Sequence, residues 1–309
     1  MSGNGGGERD KTHCVFTNNY EEVRELEIKK IGVLGAGTMG AGIAQVSIEA
    51  GYDVVLIDVV PEIVEKALKG LNRAWAKAVE KGKRTADDVT KFNSLLSSSV
   101  DTADFKDCDI VIEAIIENID IKKKVHKQLS EICKPEAILA TNTSALSITE
   151  IAAATSRPDK VVGMHFFNPV VMMKLVEVIP GAVTTDDVVQ AVIEMSKKIG
   201  KDPVPAKESP GFIVNRILVP YINEAAIVFQ EGIASAAEID KAMKLGAGMP
   251  MGPLALADMV GIDIVLAVCE FFVNEFADSK YRPSLAFRQK VRAGHLGMKT
   301  GKGFYDYTK

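Results

Sequence analysis

Residues 164–178 read MHFFNPVVMMKLVEV, and they hold one of only four histidines in the chain. His165 sits in a stretch apolar enough to be buried, and Glu177 follows twelve residues on. An imidazole near neutrality is a suitable general base. A carboxylate beside it fixes its tautomer and stabilises the imidazolium that forms. The same two residues could equally be a hydrogen-bonded core histidine and its acceptor, since perturbed ionisable groups mark sites only statistically. The elements that position them decide between the two.

The first such element is KKIGVLGAGTMGAGIAQVSIEAGYDVVLID, from residue 29 to Asp58. Its strands, 31–34 and 53–57, are apolar throughout, as strands buried on both faces of a parallel sheet are. Gly35, Gly37 and Gly40 follow the first strand and open a helix, and Asp58 ends the second strand about 20 residues later. That is the full context of a dinucleotide-binding, Rossmann-type fingerprint. Gly35 permits the tight turn, Gly37 admits a pyrophosphate, and Gly40 lets helix and strand pack closely. Thr38 and Met39 lie inside the turn and are expected to join the cofactor site. Asp58 can accept from both hydroxyls of an adenosine ribose and repels a 2′-phosphate. No arginine follows it, so NAD is expected rather than NADP.

From Pro61 a helix over 62–81 is expected, with Ile63, Ala67, Leu71, Ala74, Trp75 and Ala78 on one face. Lys66, Lys69, Arg73, Lys77 and Lys81 recur at three or four residues on another. Like charges at that spacing repel by a few tenths of a kcal/mol per pair. The strip is either a solvated face or a dock for a polyanionic ligand. Strands follow at 108–115, 137–146, 161–167 and 174–181, then a helix at 185–200 and a short strand at 203–206. The charged helix between the first two holds His126 among lysines, where it reads as solvent-exposed. The alternation predicts a doubly wound α/β sheet.

At SPGF (209–212) the pattern changes to helices at 212–231, 235–245, 253–277 and 283–293, with a terminal turn at 300–307. These helices are apolar enough to expect a face covered by a second subunit. The expected organisation is a glycine-rich leader, 1–28, a dinucleotide-binding domain, 29–208, with a basic helical insertion near 62–98, and an all-helical dimerisation domain, 209–309. The leader, which includes His13 and Cys14, has no apolar core of a secretory signal.

In open α/β sheets ligands bind outside the carboxyl ends of the strands. Glu113 and Glu117, Asn142 and Ser144, and His165 and Asn168 all fall at such ends. Together they place a hydroxyl, an amide and an imidazole where a nicotinamide would lie. Oxidising a secondary alcohol by hydride transfer needs a base for the hydroxyl proton, which His165 can be, with Glu177 as its orienting carboxylate. Ser144 can stabilise charge on the substrate oxygen.

Bulk properties narrow the alternatives. The chain has 309 residues, 47% hydrophobic and 25% charged, as ordinary globular proteins have. A net charge of −4 argues against nucleic-acid binding. No apolar run reaches the ~20 residues of a membrane span. Cys14, Cys108, Cys133 and Cys269 are scattered, which suggests neither a metal site nor a redox pair and fits a reducing cytoplasm.

The blocks GAGTMGAGIAQ, EAIIEN, NTSALSIT, GMHFFNPV, KLVEVI, SPGFIVNRIL and MGPLALADMVGID, in this order, resemble the L-3-hydroxyacyl-CoA dehydrogenase family from about residue 29 onward. The resemblance implies NAD-linked, reversible oxidation of a short-chain L-3-hydroxyacyl-CoA by a homodimer or higher oligomer. It implies His165 as base, Glu177 as its orienter, and Ser144 and Asn215 as substrate contacts. Read on its own, Asn215 is only a polar residue early in an apolar helix. Glu117, Lys122, Asn168 and Lys299 are implied as cofactor contacts, and Ser144 is counted on both sides. The basic helix matches the element that holds the coenzyme A nucleotide, with Lys77 and Lys81 as contacts. Ala74 stands where animal members have a serine, and Met249 where many bacterial members have a polar residue.

Overall fold

The structure is a computed structural model that describes residues 26–308. The expected leader lies almost wholly outside the described residues, and so do His13 and Cys14. Leu26 and Ile28 pack against the first core, so the folded body begins before residue 29.

The elements run β1 (Lys30–Leu34), α1 (Thr38–Glu49), β2 (Asp53–Ile57), α2 (Pro61–Glu80), α3 (Ala86–Ser94), β3 (Leu96–Ser99), β4 (Ile110–Glu113), α4 (Ile119–Ile132), β5 (Ile138–Thr141), α5 (Ile148–Ala153), β6 (Val161–Phe166), β7 (Leu175–Pro180), α6 (Asp186–Lys198) and β8 (Asp202–Pro205). Five helices follow: α7 (Val214–Gln230), α8 (Ala236–Gly246), α9 (Pro253–Val260), α10 (Ile262–Phe276) and α11 (Leu285–Arg292). The strands form one sheet in the order β3-β2-β1-β4-β5-β6-β7-β8. Every neighbouring pair is parallel except β6 and β7.

Alternation along the strands divides the core. Ile31, Val33, Leu56, Ile112 and Met164 face α1, α2 and α6 on one side. Val55, Ile57, Val111 and Leu139 face α4 and α5 on the other. Continuous apolar strands therefore meet helices on both faces, as the sequence predicts. The helical unit has its own core around Phe272, Phe287, Leu254 and Ile222.

Four expectations about local structure change. The edge strand β3, Leu-Ser-Ser-Ser, has no apolar run and is recruited by pairing with β2. The helix expected over 253–277 is two helices, broken where Gly261 adopts a φ of 107°. On α2, Val64 rather than Ile63 joins Ala67, Leu71 and Trp75 on the buried face. His126, expected at the surface, is fully buried. It follows Lys122 by four residues and precedes Leu129 by three, so the buried face of α4 runs through it.

The glycines of the first turn have separable jobs. A Cβ on Gly40 would stand 1.7 Å from the Gly35 carbonyl oxygen, whereas a Cβ on Gly37 would meet nothing within 4 Å. Gly40→Ala should therefore lower stability by about 1–3 kcal/mol in a denaturant titration, the cost of overpacking. Gly37→Ala should cost under about 1 kcal/mol, the loss of a glycine N-cap, yet weaken NADH binding followed by fluorescence titration. Equal stability losses in the two variants would show that both glycines serve packing.

Candidate active site

The antiparallel pairing of β6 with β7 makes His165 and Glu177 direct register partners. Their side chains meet with Nδ1 2.6 Å from Oε2. Both are buried, with His165 6% exposed and Glu177 inaccessible. The Phe167 ring lies tilted at 4.3 Å from the imidazole and Phe212 meets it edge-on at 5.6 Å. With Nδ1 engaged by the carboxylate, Nε2 is the nitrogen that can exchange a proton with a ligand.

The second oxygen of Glu177 reaches into the helical unit. It accepts from Ile213 N at 2.9 Å and Val214 N at 3.0 Å, the N-terminal amides of α7. Burial by itself would raise the Glu177 pKa, but the His165 hydrogen bond, these amides and the charge on His165 outweigh it. The carboxyl is held below its usual range. Its ionised form therefore stabilises the fold above the ordinary carboxylate range, and that contribution is lost as pH falls through the depressed value.

Asn215, one residue into α7, donates to the Ser144 carbonyl at 3.3 Å. Ser144 Oγ donates to Glu117 at 3.0 Å, and the same Glu117 oxygen takes Ser144 N at 2.8 Å and Thr143 Oγ1 at 2.6 Å. One connected chain thus runs His165–Glu177–α7–Asn215–Ser144–Glu117. Asn142 braces it from β5, accepting Phe166 N at 2.9 Å.

Beside this chain lies the glycine turn. Asp58 accepts Ala36 N at 2.9 Å and Val60 N at 3.1 Å, so it shapes the turn as well as facing the cleft. Gly35, Gly37, Thr38, Met39 and Asp58 line a cleft of about 790 Å³ whose far wall is Ile115, Ile116 and α4. The open space at Gly37, an acidic residue at the strand end and apolar walls fit an adenine dinucleotide. A larger hollow of about 1030 Å³ lies between Leu26, Tyr52 and α6 and holds none of these groups.

Six expected cofactor contacts do not line this cleft: Gly40 packs against the Gly35 carbonyl, Glu117 and Ser144 belong to the hydrogen-bonded chain, and Lys122, Lys299 and Asn168 stand elsewhere. Lys122 does not line the cleft: it is fully buried, 2.6 Å from Glu113 and 3.6 Å from Glu117. Lys299 pairs with Asp263 at 2.6 Å in the helical unit and lines no part of the cleft. Asn168 lines a neighbouring cavity of about 520 Å³, between α1, α2 and the loop after β6.

The sequence pointed to Glu113 only as a polar strand end, and did not reveal the supporting roles of His126 and Lys201. Glu113 anchors a buried cluster. It accepts from Lys122, Ile115 N and Thr141 Oγ1, and His126 Nε2 stands 3.4 Å away. Burial would raise its pKa, but His126 and Lys122 bring it down to about 2. Both His126 nitrogens lack a hydrogen-bond partner among the described residues. Lys201, nearly buried, donates to the Val170 and Met173 carbonyls and pins the loop that carries Asn168. The helical spacing of Lys122, His126 and Leu129 is the signal that could have found the cluster; Lys201, one residue after the expected end of a helix, gave none.

Known proteins carry the same plan. Residues 30–209 match the family model "3-hydroxyacyl-CoA dehydrogenase, NAD binding domain", and residues 211–307 match its C-terminal domain. The chain is 52% identical to a 3-hydroxybutyryl-CoA dehydrogenase of Clostridioides difficile, over 91% of this chain and 100% of that one. It is 42% identical to the mitochondrial hydroxyacyl-coenzyme A dehydrogenase of Homo sapiens, over 92% and 93%. The crystal structure of (S)-3-hydroxybutyryl-CoA dehydrogenase from Ralstonia eutropha superimposes with a TM-score of 0.89 at 49% identity, covering 92% of this chain and all of that one. Sheet, glycine turn and helical unit together place the chain in the 3-hydroxyacyl-CoA dehydrogenase family, NAD-dependent oxidoreductases that act on a CH–OH group.

Proposed function

We propose that the protein is a 3-hydroxybutyryl-CoA dehydrogenase, which interconverts a short-chain L-3-hydroxyacyl-CoA and its 3-ketoacyl-CoA. The observation that carries the reading is the buried His165–Glu177 pair, joined through α7 to Asn215 and Ser144. The relatives named above act on the same substrate class by name. NAD supplies the hydride acceptor. His165 Nε2 takes the hydroxyl proton as the C3–H bond breaks and the ketone forms. Glu177 steadies the resulting imidazolium. Asn215 and the Ser144 hydroxyl hold the substrate oxygen, for which the hydroxyl turns from Glu117. Phe167 and Phe212 keep water from the ring. Glu117 and Asn168 serve the cofactor side, and Lys122 acts on it only by holding Glu117.

The face of α2 that bears Lys66, Arg73, Lys77 and Lys81 supports a coenzyme A substrate. Among the described residues none of the four is in an ion pair, while Lys69 is paired with Glu65 at 3.3 Å. Lys77 also suits the helix C-terminus by charge, so its role needs a substrate-dependent test. The division near residue 209 separates the nucleotide-binding unit from the helical one. Exposed Ile217, Leu245, Met259, Ile264 and Leu285 give the helical unit apolar surface that a homodimer or higher assembly would cover. Cys108, Cys133 and Cys269 are buried and unpaired, which suits the cytoplasm.

Purified protein should oxidise NADH with acetoacetyl-CoA, and no turnover there would overturn the reading. His165→Gln should cut turnover by about 10²–10⁴, the share of a general base, with NADH binding intact. Near-normal turnover in a folded variant returns His165 to the core. Glu177→Gln should lower turnover and move the acid limb of hydroxyacyl oxidation to lower pH, because the imidazolium loses its counter-charge. An unchanged limb assigns Glu177 to packing alone.

kcat/KM should be higher with NADH than with NADPH, because Asp58 faces the position of a 2′-phosphate; equality between the two refutes this. Neutralising Lys77 and Lys81 should raise KM for acetoacetyl-CoA, weaken its salt dependence and leave kcat nearly unchanged. A pantetheine thioester, which lacks the nucleotide, should barely respond. Equal losses on both substrates would make the strip a solvated helix face.

A further inference from the structure

The turn from α6 into β8 buries a charge from which the fold gains little. Lys201 follows Gly200, whose φ is 75°, and is only 6% exposed. Its ammonium donates to two carbonyls, that of Val170 and, at 2.9 Å, that of Met173. Among the described residues it is in no ion pair. It lines a hollow of about 310 Å³ with Lys174, Lys198, Arg84 and Glu49, and Arg84 holds Glu49 at 2.6 Å. Burial, and then the charge of Lys174, push the Lys201 ammonium below its usual range. A buried cation contributes less to stability than an apolar side chain of similar volume often does. Its use lies in what the ammonium holds.

Both carbonyls belong to residues 168–173, in the loop between β6 and β7. Little else fastens that stretch. Val170 is its one buried side chain, seated on α1, where a Cβ on Gly42 would stand 2.8 Å from Val170 Cβ. Asn168, Pro169, Val171, Met172 and Met173 are exposed. Its internal bonds run from Met172 N and Met173 N to the Pro169 carbonyl, both at 3.0 Å. They shape the turn without tying it to the body of the domain. Lys201 lines neither the cofactor cleft nor the cavity of Asn168. What it governs in either is where the loop stands.

We propose that Lys201 is a positioning residue for the cofactor: by tying residues 168–173 to the sheet edge, its ammonium sets where Asn168 meets the dinucleotide. This rests on the reading above that Asn168 serves the cofactor side. Lys201 itself touches neither cofactor nor substrate. Its loss frees the loop, while the pairing of β6 with β7 still sets His165 on Glu177. The effect therefore falls on NADH binding rather than on the chemical step.

The test is a double-mutant cycle on the full chain, with Lys201→Met, Asn168→Ala and the two combined, read by fluorescence titration of NADH. Each single change should weaken NADH binding by about three- to tenfold, the share of one well-placed hydrogen bond. The double variant should bind no worse than the weaker single one, because both changes remove the same contact. With acetoacetyl-CoA as substrate, Lys201→Met should raise KM for NADH and leave kcat at saturating NADH nearly unchanged. The Met172 and Met173 amides should exchange hydrogen faster in Lys201→Met, as the turn they close comes loose. Lys201→Arg, which keeps the charge and the donors, should recover part of the affinity. Should Lys201→Met not fold, Lys201→Gln, which keeps a donor without the charge, runs the same cycle. Losses that add in the double variant overturn the proposal, because Lys201 would then act by a route other than Asn168. A loss of kcat equal to the loss of affinity also overturns it, since Lys201 would then support the sheet as a whole. Unchanged NADH binding in Lys201→Met beside weakened binding in Asn168→Ala overturns the proposal alone. Unchanged binding in Asn168→Ala overturns the reading of Asn168, and the proposal with it.

Discussion

The carboxylate of Glu177 is shared, and the site depends on how. One oxygen holds His165 Nδ1, and the other holds two N-terminal amides of α7. A buried carboxylate without partners would take up a proton. Here an imidazole and a helix terminus keep it ionised, and each is placed by a different unit of the chain. The amides bring the positive end of the α7 macrodipole onto the carboxylate. The same group thus fixes the tautomer of His165 and the seat of the helix that carries Asn215. A shift of α7 relative to the sheet would disturb the proposed base and the proposed substrate contact together.

A second buried ionic group sits at the end of β4. Lys122 lies between Glu113 and Glu117, and Glu117 takes three donors from Thr143 and Ser144. Burying such charges contributes little to net stability, but removing one partner is costly. Its value here is positional. Glu113 ties the end of β4 to β5 through Thr141 and to α4 through Lys122. The loops that carry Glu117 and Ser144 therefore leave the sheet from fixed points. Glu117, which Lys122 steadies, holds the hydroxyl that the proposed reaction uses.

The helical unit is joined to this arrangement at its first residues and is otherwise built on its own core. Two buried aspartates organise it: Asp240 caps α9 through Leu254 N and Ala255 N, and Asp258 holds Phe304 N and Tyr305 N. Its remaining apolar surface, including Met249 and Met251 in the loop before α9, faces outward. Met249, where many relatives were expected to be polar, belongs to that surface rather than to the cofactor cleft.

What the sequence determined by itself is what local physics encodes. Apolar runs of strand length, the glycine spacing with Asp58 behind it, and the switch at residue 209 to helical periodicity are written in neighbouring residues, so fold class and cofactor fold could be read directly. His165 and Glu177 could be suspected from residue type, and the polar strand ends from the rule that ligands gather there. Only the tertiary structure decided which of these groups meet. The antiparallel turn from β6 to β7 sets His165 opposite Glu177, and a one-residue slip would have pointed them to opposite faces. The landing of α7 supplies the amides, and so turns Asn215 from an ordinary buried polar residue into a neighbour of Ser144. His126 moved from an expected surface, and Lys122 from an expected cofactor contact, to a buried cluster because α4 packs with that face inward. Pairings across the sheet and between units depend on distances between residues far apart in the chain, and no local pattern records those.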